Sequence, residues 1–185
     1  MRAIYIGLHF HPWPHGKLMR WFGGRWSHAS IIDARDIGDR TTWMVLEMTA
    51  RGCIPTPWFH HSRRQEWMVL ARPGMTDEDI RAVAAAAYSL VGVPYGYLSL
   101  PWAAWRVLKD WWNALRFSLA IHRAHMLGLE DWGFGFTLIC SEYVAKVFHV
   151  AGLPLFGETT LVMPDDFDRL YREGNLVLVD CKSPL

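Results

Sequence analysis

The sequence predicts an α+β domain in which an antiparallel sheet packs against helices. Stretches rich in β-formers recur at residues 3–10, 26–33, 41–49, 66–71 and 176–181, more strands than a helical bundle tolerates. Two of them, 26–33 and 41–49, are separated only by a polar turn, which is a hairpin signal. The helical stretches are grouped apart from the strands instead of being threaded between them.

Taken in order, 3–10 reads as a first strand, followed by a Pro-rich loop at 11–15 and a short helix within 16–25 that Gly23-Gly24 ends. The hairpin comes next, with its turn expected at 34–40. A turn centred near Ile37 or Gly38 sets His28 opposite Leu46 or Glu47. In the second register His28 and Glu47 form a direct cross-strand pair, with Cβ atoms roughly 5 Å apart. A one-residue slip sends Glu47 to the other face. Residues 51–64, polar and Pro-containing with His60-His61, read as irregular.

After the 66–71 strand, Thr76-Asp77-Glu78-Asp79 opens a helix in the manner of a capping box, through alanine-rich 82–87 to Gly92-Val93-Pro94. Pro101 to Leu127 is helical in composition. Trp102, Trp105, Leu108, Trp112, Leu115 and Leu119 stand at steps of three and four, with Arg106, Lys109, Arg116 and Arg123 between them. A Gly- and Trp-containing connection at 128–135 leads to a helix from about Ser141 to Val150, stopped by Gly152. A loop at 153–161, a short helix from Pro164 to Glu173 and the last strand complete the chain.

With 185 residues, no repeat and no long linker, the chain reads as one domain, 1–185. A net charge of +1 lacks the basic excess of a nucleic-acid binder. Three cysteines, Cys53, Cys140 and Cys181, make no disulfide framework, and there is no CxxC pair or zinc-type spacing, so neither metal nor cofactor is expected. The short apolar N-terminal run resembles a strand, not a secretory signal, which gives an expectation of a cytoplasmic protein, with delivery to the envelope by another route left open. No run of 18 apolar residues exists.

Chemistry concentrates at Leu138-Ile139-Cys140-Ser141-Glu142-Tyr143-Val144, where an apolar run becomes an amphipathic helix. A thiol in a helix's first turn faces unpaired N–H groups and the positive end of the macrodipole, which lower its pKa. A nucleophile also needs a base, and the base needs a group that fixes its tautomer. His28 and Glu47 are candidates for those parts, since a carboxylate in an otherwise apolar strand requires a partner. Taken singly, a helix-start cysteine is more often a small buried hydrophobe. Cys53 and Cys181 read as packing, His60-His61 as solvated surface, and Glu142 as N-terminal charge placement.

Ser27-His28-Ala29-Ser30-Ile31-Ile32, with its lead-in Leu18 to Phe22 and Arg25-Trp26, resembles the histidine strand of the circularly permuted papain-like amidases. These are the permuted relatives of NlpC-type cell-wall peptidases (the YiiX/YaeF-like group). Val45-Leu46-Glu47-Met48 followed by Gly52, Val91 to Gly96, Ile139 to Val144, and Gly152 with Met163-Pro164-Asp165-Asp166-Phe167 resemble that family's remaining motifs, in its order. The resemblance implies a permuted papain-like fold in which Cys140 is nucleophile, His28 base and Glu47 orienter, with Tyr95, Ser141 and Trp26 on the substrate side. Gly96 departs from the family's usual Asp. Pro101 to Leu127 is longer than the usual connection and reads as a helical insertion or lid.

Two functions from different classes follow. One is a thiol hydrolase cleaving an amide of the peptide or peptidoglycan kind, with a lipid amide or ester hydrolase or acyltransferase as the alternative of the same fold. The other is a non-catalytic binding module that uses the Trp-rich segment. That segment suits a core, a substrate groove or peripheral contact with a membrane surface.

Overall fold

A computed structural model describes residues 2–10, 25–37, 40–49, 51–60, 66–93, 140–157 and 162–182. The expected 101–127 helix, most of the 16–25 helix, the 128–135 connection, His61 and Tyr95 lie outside these residues. Six strands form one sheet in the order β4-β3-β2-β1-β5-β6: β1 (Arg2–His9), β2 (His28–Ile37), β3 (Arg40–Thr49), β4 (Gly52–Pro57), β5 (Trp67–Ala71) and β6 (Val177–Lys182). Every neighbouring pair is antiparallel. Among the described residues three α-helices accompany it: α1 (Asp77–Ser89), α2 (Cys140–Val150) and α3 (Pro164–Arg172). No helix among the described residues is long and apolar enough to cross a membrane.

Strand alternation divides the sheet into two faces. Ile4, Ile6 and Leu8 of β1, Ala29 and Ile31 of β2, and Leu46 and Met48 of β3 form one core with Val83, Ala84 and Ala87 of α1 and Tyr143, Val144, Val147 and Phe148 of α2. Fully burying each large side chain contributes about 1.5–3 kcal/mol. The small residues of α1 keep that helix close, and the Tyr143 hydroxyl donates to the Ala87 carbonyl at 3.3 Å. The opposite face carries Ile32, Val45, Trp67 and Val69, with Tyr5, Trp43 and Trp58 packed on them. Part of the heavy tryptophan load therefore serves this second, aromatic layer.

Two expectations are corrected. The turn expected at 34–40 is strand through Ile37, and β3 resumes at Arg40, leaving only Gly38-Asp39 between the partners. The polar character of 33–36 has a different cause. Asp33 is buried and takes both nitrogens of the Arg2 fork at 2.9 Å and Arg35 Nε at 2.7 Å. Residues 51–64 are likewise not wholly irregular, because 52–57 form β4 and 58–60 a short 3-10 helix. Pro55 and Pro57 obscured the strand, yet both suit it because β4 is an edge. Its outer side is partly covered: Cys53 donates its N–H to Val93 and accepts from Gly92, each at 2.9 Å.

The capping box of α1 is present, with Thr76 Oγ1 accepting from the Asp79 N–H and Asp79 Oδ2 accepting from the Thr76 N–H. In α3 the Asp166 carboxylate accepts the Met163 N–H at 2.7 Å, and Pro164 occupies the first turn.

Burial alone would raise the Asp33 carboxyl, but the hydrogen bonds and charges of Arg2 and Arg35 outweigh it and hold it below its ordinary value of 3.8. Asp33→Asn is expected to lower unfolding stability by about 2 kcal/mol, since bonds to charged groups are worth about 1.5–3 kcal/mol and the half-exposed arginines can turn to water. A depressed carboxyl contributes stability that is present above its unfolded pKa and lost as pH falls through its folded one. Urea melts should therefore show a constant gap between wild type and variant above about pH 5 that closes on acidification.

Candidate functional site

Cys140 is the first residue of α2, and His28 the first residue of β2, so both stand where an element begins. The helix start brings the thiol against the end of β2. Burial pushes the Cys140 thiol up, but the charge and hydrogen bond of His28 and the N–H groups of Ala29 and Ser141 outweigh it and lower its pKa. For His28, burial pushes the imidazole down. The Cys140 thiolate beside it, and then the Glu47 carboxylate, overcome this and raise it from 6.5 to about 10. The two shifts agree: each group holds the other in its charged form, an imidazolium beside a thiolate. Cys53 serves as an internal comparison. It too is buried, and burial together with the Glu47 charge drives its thiol upward.

Glu47 is 6% exposed, and its Oε2 lies 3.3 Å from His28 Nε2. That contact is an ion pair whose N–H is not aligned for a regular hydrogen bond. Neither register expected for the hairpin, His28 opposite Leu46 or opposite Glu47, is the observed one, because Glu47 stands opposite Ser30, two residues from direct pairing with His28. A shift of two preserves the face, so the two side chains meet as diagonal neighbours, within reach of long side chains.

Sequence reasoning missed His9. It pairs directly with His28 across β1 and β2, and the ring centroids are 4.6 Å apart. On its other side His9 packs against Trp67 at 4.2 Å, and Trp67 against Trp58 at 4.7 Å. His9, His28 and Glu47 each offer one nitrogen or carboxylate oxygen, and these atoms lie within 4.8 Å of one another. A search for ligand spacing within one segment could not find this group, because its members come from three strands. The alternation of β1 did place His9 on the face opposite Leu8, but the 11–24 connection hides the register with β2.

Of the residues expected on the substrate side, Tyr95 lies outside the described residues. The Trp26 ring is 1% exposed and packs within the helix-side core, capped by the Arg25 guanidinium 5.0 Å from its centroid. What Trp26 gives the site is its backbone. Asp165 Oδ1 accepts from the N–H groups of Arg25 and Trp26 at 2.9 and 3.2 Å, and Ser27 N–H donates to the His9 carbonyl at 3.2 Å. The lead-in to His28 is thus tied to α3 and to β1. The Ser141 hydroxyl is also turned inward, donating to the Val162 carbonyl, while its N–H serves the thiol. Phe59 and His60 stack at 4.2 Å on the exposed 3-10 helix, and the Cys181 side chain lies outside the described residues.

No protein-family model matches the chain, and no curated protein matches it either.

Proposed function

We propose that this protein is a cysteine-dependent hydrolase of an amide bond, of the peptide or peptidoglycan-stem kind, with a permuted papain-like arrangement of its elements. The observation that carries this reading is the Cys140 thiol at the start of α2 beside the His28 imidazole, each favouring the charged form of the other, with His28 Nε2 3.3 Å from Glu47 Oε2. Cys140 Sγ attacks the substrate carbonyl carbon. The oxyanion takes hydrogen bonds from first-turn N–H groups of α2, which have no carbonyl four residues back to bond. The His28 imidazolium protonates the leaving amine, and a thioester remains on Cys140. Neutral His28 then takes a proton from water, which attacks the thioester and releases the acid and the thiolate. Glu47 keeps the ring turned and its positive charge compensated throughout.

Lipid amides and esters present the same carbonyl, and an acyltransferase would replace the water by another acceptor. Mass spectrometry of Cys140 after exposure to peptide, muropeptide and lipid substrates identifies the acyl group retained.

The test of the thiolate itself is alkylation by iodoacetamide as a function of pH, read at Cys140 by mass spectrometry. The lowered pKa means the reactive form is already present below 9.0, the ordinary value, and is lost only on further acidification. In His28→Ala the compensating cation is gone, burial dominates, and the inflection moves above the ordinary value. Labelling no faster than a model thiol at neutral pH argues instead for a binding module that retains the fold.

A further inference from the structure

We propose that His9, His28 and Glu47 form a binding site for a zinc-class divalent cation, on the Nε2 side of His28. Two imidazoles and one carboxylate are a zinc ligand set that leaves a fourth position open. All three residues are held on the sheet, His9 and His28 as direct cross-strand partners and Glu47 on the adjoining strand. His9 and Glu47 are buried, and the ligand atoms already lie within 4.8 Å of one another. Bonds of about 2.0–2.2 Å put neighbouring ligand atoms about 3.3 Å apart in a tetrahedral shell, so side-chain shifts of about 1 Å close the site. The His28 nitrogen available to this site is the one turned to Glu47.

The location has a chemical consequence, which rests on the hydrolase reading above. A cation bound through Nε2 leaves the proton on Nδ1. The ring then has no lone pair with which to accept a proton from the thiol or from water. It also draws the Glu47 carboxylate from His28 to the metal. Zinc and thiol chemistry are therefore mutually exclusive at His28, and the ion acts as an inhibitor without touching Cys140.

The binding experiment does not depend on activity. Metal-free full-length protein is titrated with Zn2+ by equilibrium dialysis against a chelator of known affinity. One ion per chain is expected. His9→Phe keeps a ring against Trp67 and His28 while removing the ligand nitrogen, and Glu47→Gln keeps the shape while removing the charge. Each is expected to weaken zinc binding about tenfold or more, at least the loss seen when a metal site's outer shell is disturbed. Cys140→Ser is expected to keep one ion per chain, bound no more weakly than in the wild type. Thermal melts confirm that each variant is folded, and Glu47→Gln carries the test if His9→Phe is not.

Less than one ion per chain overturns the proposal. So does wild-type affinity in a folded His9→Phe or Glu47→Gln, which would place the ion on exposed histidines such as His60 or His149. Loss of binding in Cys140→Ser would put the ion at the thiol and overturn it as well. A protein that binds zinc as described but hydrolyses no substrate leaves the metal site standing and removes the hydrolase reading.

Discussion

Cys140→Ala is expected to lower kcat/KM for amide or thioester hydrolysis by about four orders of magnitude or more, the scale on which loss of a covalent nucleophile acts. Stability should change by about 1 kcal/mol or less, because the side chain is small and the site is at the start of a helix. His28→Ala should be as damaging to rate, and the double variant little worse than either single one, because residues that act as a unit are not additive. Glu47→Gln is milder, about 10- to 100-fold, since the amide still offers an oxygen to Nε2 but no longer compensates the ring's charge. The same series has a readout that needs no substrate. In Cys140→Ala the largest influences raising His28 disappear, leaving burial, which lowers it, opposed only by Glu47. The His28 ring protons, followed by NMR, should therefore titrate at markedly lower pH than in the wild type. Unchanged turnover in Cys140→Ala would sink the proposed chemistry, and an unchanged His28 titration would dissolve the ion pair on which it rests.

How far the sequence could be read depended on whether the deciding interactions were local. The capping box at Thr76, the start of α2 at Cys140 and the proline-led α3 were all legible, because each depends on residues within one turn of helix. The edge strand β4 was not, because its prolines are unfavourable in most strands and become acceptable only once the strand is known to lie at the sheet margin. Glu47 stood out as a carboxylate in an apolar strand, and one of the two registers open to the hairpin put it on the face of His28. Its partner in the ladder was not legible, because the register depended on a turn whose length composition overstated. His9 and Asp165 were illegible for a different reason. Their contributions, a ring against His28 and an acceptor for the Arg25 and Trp26 N–H groups, exist only when segments distant in sequence are brought together. The pattern is physical: the proposed nucleophile carries its own local signature, whereas the residues that hold its partners in place do not.

Gly7→Ala is expected to cost about 1–3 kcal/mol of stability and to lower turnover by up to about 100-fold, although residue 7 touches no reacting atom. Glycine is needed here for space, because the strand conformation at residue 7 would suit any residue. A Cβ would meet Trp67 Cζ3 at 2.7 Å, Ser30 Oγ at 2.8 Å and Ile32 Cδ1 at 2.9 Å. All three neighbours are fully buried, so none can swing into solvent. Ser30 is further held by its hydroxyl's bond to the Gly7 carbonyl at 3.3 Å. The indole therefore has to give way, and it is the first member of a stack that runs from Trp67 through His9 to His28. A displacement of the indole shifts the ring that backs the proposed base, and a misplacement of about 1 Å at a reacting group costs about 10²-fold in rate. Trp67→Phe supplies the control. Alone it leaves a gap and destabilises; combined with Gly7→Ala it gives the new methyl room. The pair should be less destabilised than the sum of the singles, by about 0.5–3 kcal/mol in a double-mutant cycle, with turnover partly recovered. Additive stabilities, or a Gly7→Ala protein of wild-type stability and rate, would mean that the stack does not transmit packing from the aromatic layer to His28.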